Sequence, residues 1–210
     1  MKMIDLTHMI QENMPVYPGT KPPEIKVETT IGKNGFEERL ITMFSHTGTH
    51  MDTPCHIMEG GRSLSDYDIS DFTGRGVLID VRGMEIVSLS YIKSYEAELK
   101  GADFAVLMSG WSKRWGDDRY FTNYPVLSEE ASLFLAKSGL KGICVDMISV
   151  DPVDTVDFGN HKIFFGHEML IVENLANLDK LEGKEFAISC LPLNIERGDG
   201  SPVRAFAIIS

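Results

Sequence analysis

The chain has 210 residues, with 31 Asp and Glu against 20 Lys and Arg and a formal net charge of −11. That balance repels phosphate, which argues against nucleic acid and anionic membranes as partners. With 43% hydrophobic and 24% charged residues the composition is globular, and the length suits one domain, residues 1–210, able to bury roughly 70% of its unfolded surface.

Read in chain order, Met3–Thr7 is a short strand, followed by the Pro-rich loop Met14–Pro23. Glu24–Thr30 alternates polar and apolar residues as a strand does, Lys33-Asn34-Gly35 signals a hairpin turn, and Glu37–Phe44 is the return strand. A His-rich segment runs from Ser45 to Gly61. Gly76–Val81 reads as a buried strand, Ser88–Leu99 as a helix capped by Ser88 or Ser90, and Phe104–Met108 as another strand. Ser109–Pro125 is an aromatic loop. Ser128 caps a helix reaching Ser138, with Glu129 and Glu130 complementing its N-terminal dipole and Gly139 closing it. Ile143–Asp146 is a strand, a helical turn and strand span His161–Glu173, and Phe186–Leu191 and Val203–Ile209 are the last two strands. A β-rich first part and a middle that alternates strand and helix predict a mixed α/β domain around a central sheet.

The three cysteines, Cys55, Cys144 and Cys190, are odd in number, widely spaced and without a CxxC pair, so neither a disulfide framework nor a zinc ribbon is expected. Cys144 and Cys190 sit in apolar runs and read as buried thiols. Cys55 lacks the helix N-terminus or basic neighbour that would activate it. The start, MKMIDLTH, has no apolar core of a signal peptide, and no run approaches the ~18 apolar residues of a membrane span. A soluble protein of a reducing, cytoplasmic compartment is expected.

Three of the six histidines fall within eleven residues, His46-Thr47-Gly48-Thr49-His50-Met51-Asp52-Thr53-Pro54-Cys55-His56. Gly48, Pro54 and two threonines disfavour a helix here. In an extended chain alternate side chains share a face, which predicts that His46, His50, Asp52 and His56 project together, with Gly48 leaving space between the first two. Imidazoles and a carboxylate converging in this way suit a divalent metal, and a set without Cys suits an open catalytic position better than a closed structural one. A second cluster lies in His161–Glu173, HKIFFGHEMLIVE. Glu173 follows the apolar run Met169–Val172, and a buried carboxylate needs a partner, for which a metal serves. Spacing alone leaves His161, His167, Glu168 and Glu173 all open as members of this cluster.

The stretch HTGTHMDTPCH is similar, at all fixed positions, to the H-x-G-T-H-x-D-x-P-x-H signature of the cyclase family, which contains bacterial kynurenine formamidase and isatin hydrolase. IDLTHMIQENMPVYPG, Ser109-Gly110-Trp111, VDMISVDP and the His161–Glu173 spacing resemble further segments of that family. The resemblance implies a swivelling β/β/α domain with a mixed central sheet, usually assembled as a homodimer or homotetramer. It implies that His46, His50 and Asp52 hold a first metal and that Asp52 bridges to a second completed by His161 and Glu173, selecting these two over His167 and Glu168. His56 would be the acid/base. The metal would be Zn²⁺, with Mn²⁺ as the alternative, bound as one or two ions.

The reaction implied is hydrolysis of an amide-type C–N bond in a small-molecule substrate, arylformamidase-like. The metal activates water by lowering its pKa from 15.7 towards about 7, and His56 shuttles the proton. A lactone or isatin-type cyclic substrate, or a metal-binding member without catalysis, is the alternative. Tyr17 stands where the formamidases place a substrate-facing Trp, and Thr20 stands where an Asp commonly follows Gly19. Tyr17 is thus a candidate substrate wall or a plain packing aromatic. Lys113 and Arg114 read as a solvated loop.

Overall fold

The computed structural model describes residues 2–209. Its elements run β1 (Lys2–Asp5), β2 (Glu24–Thr29), α1 (Ile31–Asn34), β3 (Glu38–Thr42), β4 (His50–Asp52), β5 (Thr73–Asp80), β6 (Ile86–Val87), α2 (Leu89–Lys93) and α3 (Glu96–Leu99). They continue β7 (Phe104–Met108), β8 (Val126–Leu127), α4 (Glu129–Ala136), β9 (Gly142–Val145), α5 (Gly159–Phe165), β10 (Leu170–Glu173), β11 (Phe186–Pro192) and β12 (Gly200–Ile209).

The mixed α/β architecture is the expected one, and the central sheet closes on itself. Its order is β1-β12-β11-β5-β7-β9-β10-β4, and β4 pairs again with β12. The long strand β12 makes closure possible: Gly200–Pro202 pair with β4, while Phe206–Ile209 pair with β1 along the same edge. β5, β7, β9 and β10 are mutually parallel, and the remaining pairings of this sheet are antiparallel. Closure leaves the seven strands from β12 round to β4 without an open edge, and β1, paired with β12, flanks the ring as a short edge strand.

The period-2 alternation of strands sorts the apolar residues into two layers. Phe104, Val106 and Met108 of β7 join Met51, Cys144, Val172, Ile188 and Ala205 inside the barrel. Ala105 and Leu107 face outward, with Val77, Ile79, Ile143 and Ile171, onto Ile92, Leu135, Phe164 and Phe165 of the helical layer. β9 is buried throughout because both of its faces are covered.

Local readings hold with adjustments. Ser88 and Ser128 accept from Tyr91 and Ala131 backbone N–H groups as helix caps, and Gly139 has φ +77° beyond the second helix. The predicted single helix Ser88–Leu99 breaks between α2 and α3, where the Ser94 hydroxyl donates to the Tyr91 carbonyl and competes with the helical ladder. The loop Ser109–Pro125 contains two 3₁₀ turns, Trp111–Arg114 and Asp118–Phe121. β2 and β3 form the predicted hairpin, joined by the single turn α1 and by Gly35 at φ +82°. All three cysteines are free, and Cys144 and Cys190 are buried. Among the described residues no helix is long and apolar enough to cross a membrane.

Candidate metal centre

β4 is only three residues long, yet it is held on both sides, by β10 and by β12. Met51 points into the barrel, so His50 and Asp52 point to the outer face. His50 is the register partner of Glu173 on β10, which puts imidazole and carboxylate side by side on that face. α5 supplies His161 from the helical layer. Among the described residues His46, His50 and Asp52 form one group with metal-ligand spacing, Asp52, His161 and Glu173 a second and fully buried one, and His46, His56 and Asp199 a third and more exposed one.

The predicted extended stretch from 46 to 56 is not what brings these residues together. Only His50–Asp52 is a strand; Gly48 has φ +68°, and Pro54–His56 is a 3₁₀ turn with Pro at its start. Gly48 is needed for that left-handed turn and for the approach of Met14 Cε, 3.0 Å from where a Cβ would lie, rather than as space between histidines. The turn brings His46 back onto Asp52, with Nδ1 2.5 Å from Oδ1. The 3₁₀ turn brings His56 beside His46, with ring centroids 3.9 Å apart. His46 and His56 therefore converge with β4 by chain reversal, not by strand alternation.

Each candidate ligand histidine is oriented by a partner on its far side. The Gly48 carbonyl lies 2.8 Å from His50 Nδ1; since a carbonyl only accepts, Nδ1 carries the proton. Nε2 then faces Asp52 Oδ1 at 3.1 Å and Glu173 Oε2 at 3.5 Å. Asp151 accepts from the backbone N–H groups of Asn160 and His161 and lies 2.7 Å from His161 Nδ1. His161 Nε2 is thereby turned towards Glu173 Oε1, 3.6 Å away, and Asp52 Oδ2, 3.9 Å away. His46 Nε2 lies 2.9 Å from Asp199 Oδ2. Carboxylate–histidine and carbonyl–histidine pairs of this kind fix ring orientation at metal sites.

Asp52 and Glu173 are 1% and 4% exposed. Among the described residues their ion-pair partners are all histidines. Without a cation, protons fill the role. Burial disfavours the His46 cation, but Asp52 and Asp199 outweigh it and raise its pKa to about 9. His161 is raised to about 10 against its burial by Asp151, Asp52 and Glu173. Burial and the Asp52 charge push Glu173 up to about 7, while Asp52, despite its burial, stays well below the usual range beside His50 and His46. Two buried carboxylates whose only counter-charges are imidazolium groups form a donor set that fits a divalent cation. His56 differs: burial lowers its pKa to about 4, and the positive charges of His46 and His161 act in the same direction. It is a neutral imidazole at the mouth of the centre, its side chain 34% exposed.

The competing candidates lie elsewhere. His167 and Glu168 are exposed in the turn after α5, with His167 bonded to the Ile163 carbonyl. His8 stacks on Trp115 with ring centroids 3.9 Å apart. The Cys55 thiol lies 3.7 Å from the Gly198 carbonyl and is a structural contact. The Tyr17 hydroxyl donates to the Val153 carbonyl at 2.9 Å, two residues beyond Asp151. Burial raises the Tyr17 pKa, with Glu173, Asp151 and Asp154 adding to the effect, so Tyr17 packs within electrostatic reach of the centre. Arg114 stacks over Trp111 and Lys113 lies 3.5 Å from Asp179.

Sequence reading passed over Asp151, Asn174, Asp199 and Gly200. Asn174 donates to the Gly48 carbonyl, and its own Oδ1 accepts from the Tyr120 hydroxyl, bracing the carbonyl that orients His50. Gly200 lies against His46: a Cβ there would be 2.6 Å from Cε1 of the ring. The Asp-Gly pair at 199–200 looks like ordinary turn composition, which hides its part in the centre, while Asp151 lies in the family-like VDMISVDP segment, where no role is assigned to it.

The family model Cyclase, described as "Putative cyclase", matches residues 4–152. A kynurenine formamidase of Bacillus cytotoxicus is 32% identical over 203 residues, covering 96% of this chain and 95% of that protein. A solved isatin hydrolase, bound to the product analogue thioisatinate, superposes with a TM-score of 0.88 at 24% identity, covering 100% of this chain and 93% of its own, a likeness of fold. A protein described as a potential metal-dependent hydrolase with cyclase activity superposes with a TM-score of 0.82 at 26% identity, covering 98% of this chain and 96% of its own.

Proposed function

The chain belongs to the cyclase family, and from that membership and the geometry of its centre we propose that it is a metal-dependent hydrolase of an amide-type C–N bond in a small molecule. The observation that carries this reading is the convergence of the buried His50, Asp52, His161 and Glu173 with the half-buried His46, and with the neutral His56 beside them. These five are the ligands in this reading. Asp52 would be shared between the two groups, since its Oδ1 faces His46 and His50 while its Oδ2 faces His161. Nitrogen and carboxylate donors without Cys favour Zn²⁺, with Mn²⁺ second.

When bound, the metal supplies polarisation of the substrate carbonyl and activation of the attacking water. His56 takes the proton from the water and returns it to the leaving nitrogen, a role for which a neutral ring at the mouth of the centre is suited. Asp151, Asp199 and the Gly48 carbonyl hold the ligand rings in orientation before substrate arrives. Tyr17, fixed through Val153, is the aromatic wall against which an N-formylated aryl amide stacks.

The decisive experiment combines elemental analysis, chelation and a substrate panel. Purified protein should carry one to two Zn²⁺ or Mn²⁺ equivalents per chain. It should hydrolyse N-formylated aryl amines in preference to isatin-like or lactone rings, and lose at least about 10³-fold in rate on chelation, restored by re-addition of metal. Full activity in metal-free protein would overturn the reading.

We further propose a homo-oligomer, a dimer or tetramer. The β2–β3 hairpin exposes Val27, Leu40 and Ile41, with Phe36 at its turn and Phe44 at its end. An isolated two-stranded hairpin is marginal in water, so a second copy of the chain covers it. The free, mostly buried thiols fit a reducing, cytoplasmic location.

A further inference from the structure

Among the described residues Asp199 is the carboxylate within 4.0 Å of both a proposed ligand histidine and the proposed acid/base. Its Oδ2 lies 2.9 Å from His46 Nε2 and 3.7 Å from His56 Nδ1, and it accepts from the Ser45 hydroxyl at 3.3 Å. The two rings it faces lie against each other, tilted by 34°. The backbone holds it there. Thr53, which caps the 3₁₀ turn carrying His56, donates both its N–H and its hydroxyl to the Asp199 carbonyl at 3.0 Å. Gly200, next in sequence, is paired with Asp52 in the β12–β4 ladder. The segment that carries the acid/base and the segment that carries Asp199 are thus tied together at the backbone as well as through side chains.

We propose that Asp199 is the positioning residue for His56: its carboxylate, 3.7 Å from Nδ1, favours the Nδ1–H tautomer by its charge, so that the bare Nε2 is the atom that takes up and returns the proton. This rests on the hydrolase reading and names the residue that orients its acid/base. Two features point to His56 rather than to His46 alone. His46 already has Asp52 on its other nitrogen, so its ring is fixed from two sides. His56 has among the described residues no hydrogen bond to its ring, and Asp199 is the carboxylate within 4.0 Å of it. An imidazole that must pass a proton on needs its tautomer set by a group on the opposite nitrogen, and a carboxylate held by the fold does that at little reorganisation cost.

The test uses Zn²⁺-loaded full-length protein, as wild type, Asp199→Asn, Asp199→Ala, His56→Ala and the double variant Asp199→Asn/His56→Ala. Because Asp199 also holds the ligand ring of His46, Asp199→Asn is assayed at saturating Zn²⁺, where full occupancy, an unchanged KM within about threefold and a kcat lower by about 10- to 100-fold are expected, a fraction of the 10²–10⁴ that acid–base catalysis commonly contributes. In the His56→Ala background the same substitution should cost less than about twofold, because residues acting as a unit are not additive. Independently of turnover, ¹⁵N-histidine NMR should show His56 as the Nδ1–H tautomer in wild type and as the Nε2–H tautomer in Asp199→Ala. Metal loss in proportion to lost rate in Asp199→Asn, additive effects in the double variant, or an unchanged His56 tautomer in Asp199→Ala would each overturn the proposal. His56→Ala with full turnover would instead sink the acid/base assignment, and activity without metal would sink the hydrolase reading itself.

Discussion

At Gly200 a methyl group would sit 2.6 Å from His46 Cε1 and 2.7 Å from the Met51 carbonyl. Neither can move far: the ring is held by Asp52 and Asp199, and the carbonyl belongs to a paired strand. Gly200→Ala should therefore keep the fold, read by circular dichroism, and weaken metal binding at least tenfold in a chelator competition. Asp151 carries two jobs at once, accepting from the first turn of α5 and orienting His161. Asp151→Asn keeps the shape and removes the charge, and loss of such an outer partner commonly costs about 10- to 100-fold in metal affinity. Titration of the centre sets a pH dependence with a definite sign. His46 and His161 have pKa values raised to about 9 and about 10, above their unfolded value of 6.5. Their stabilising charge is therefore fully present below about 6.5 and lost as the pH rises through 9 to 10. Glu173, raised to about 7 from 4.5, likewise makes the metal-free fold less stable as pH rises through that interval. Chelated protein should show a falling Tm from pH 6.5 to 10. The Tm advantage of the metal-loaded form should widen over the same range, because metal replaces the protons. A constant Tm gap across that range would contradict this account.

Among the elements, the contrast between β7 and the hairpin is informative. Every residue of β7 is buried, and each face of the strand serves a different core. Every residue of β3 is exposed. Leu40 and Ile41, each about half exposed, are adjacent in β3 and so point to opposite faces of the hairpin. The double substitution Leu40→Asp and Ile41→Asp should leave the barrel intact and shift the protein to a monomer in light scattering. An oligomer unaffected by both changes would show that the hairpin is not the interface. The elements around the centre are short: β4 has three residues and the turn bearing His56 also has three. Neither could form alone. Both exist because β10 and β12 flank β4 and because Pro54 pre-sets the first residue of the turn.

Across the whole molecule, the proposed ligands draw together three parts of the chain: the turn and strand at 46–52, α5 and the end of β10. A metal there links the outer helical layer to the barrel wall, and binding to the folded state alone adds stability in proportion to the logarithm of metal concentration over Kd. Chelation should consequently lower the Tm of the entire molecule in one cooperative step. A local loss confined to the centre, with global Tm unchanged, would show that the metal does not couple these layers. Met51 tests the same coupling from inside the barrel, since it is fully buried on the face opposite His50 and Asp52. Met51→Ala should cost about 2–5 kcal/mol.

Much of this was legible in the residues themselves. The buried strands β7 and β9, the capped helix α4 and the hairpin follow from periodicity, caps and turn residues, which are local properties. The eleven-residue run from His46 to His56 stands out as a candidate metal-ligand segment because three imidazoles and a carboxylate lie close together in sequence. Other features required the chain to fold back on itself. Parity along an extended strand is the wrong route to the convergence of His46 and His56, since Gly48 and Pro54 reverse the chain. Barrel closure rests on β12 pairing with β4 on one side and β11 on the other, a long-range choice that no window of sequence contains. Spacing does not separate His161 and Glu173 from His167 and Glu168; the family resemblance does, and burial agrees once α5 packs against β10. Asn174, Asp199 and Gly200 enter the centre because β4, β10 and β12 lie side by side, and Asp151 because the loop after β9 meets the first turn of α5. Ligand chemistry is a property of residue type and close spacing, which the sequence carries; orientation and counter-charge are properties of contacts between distant segments, which tertiary structure alone creates.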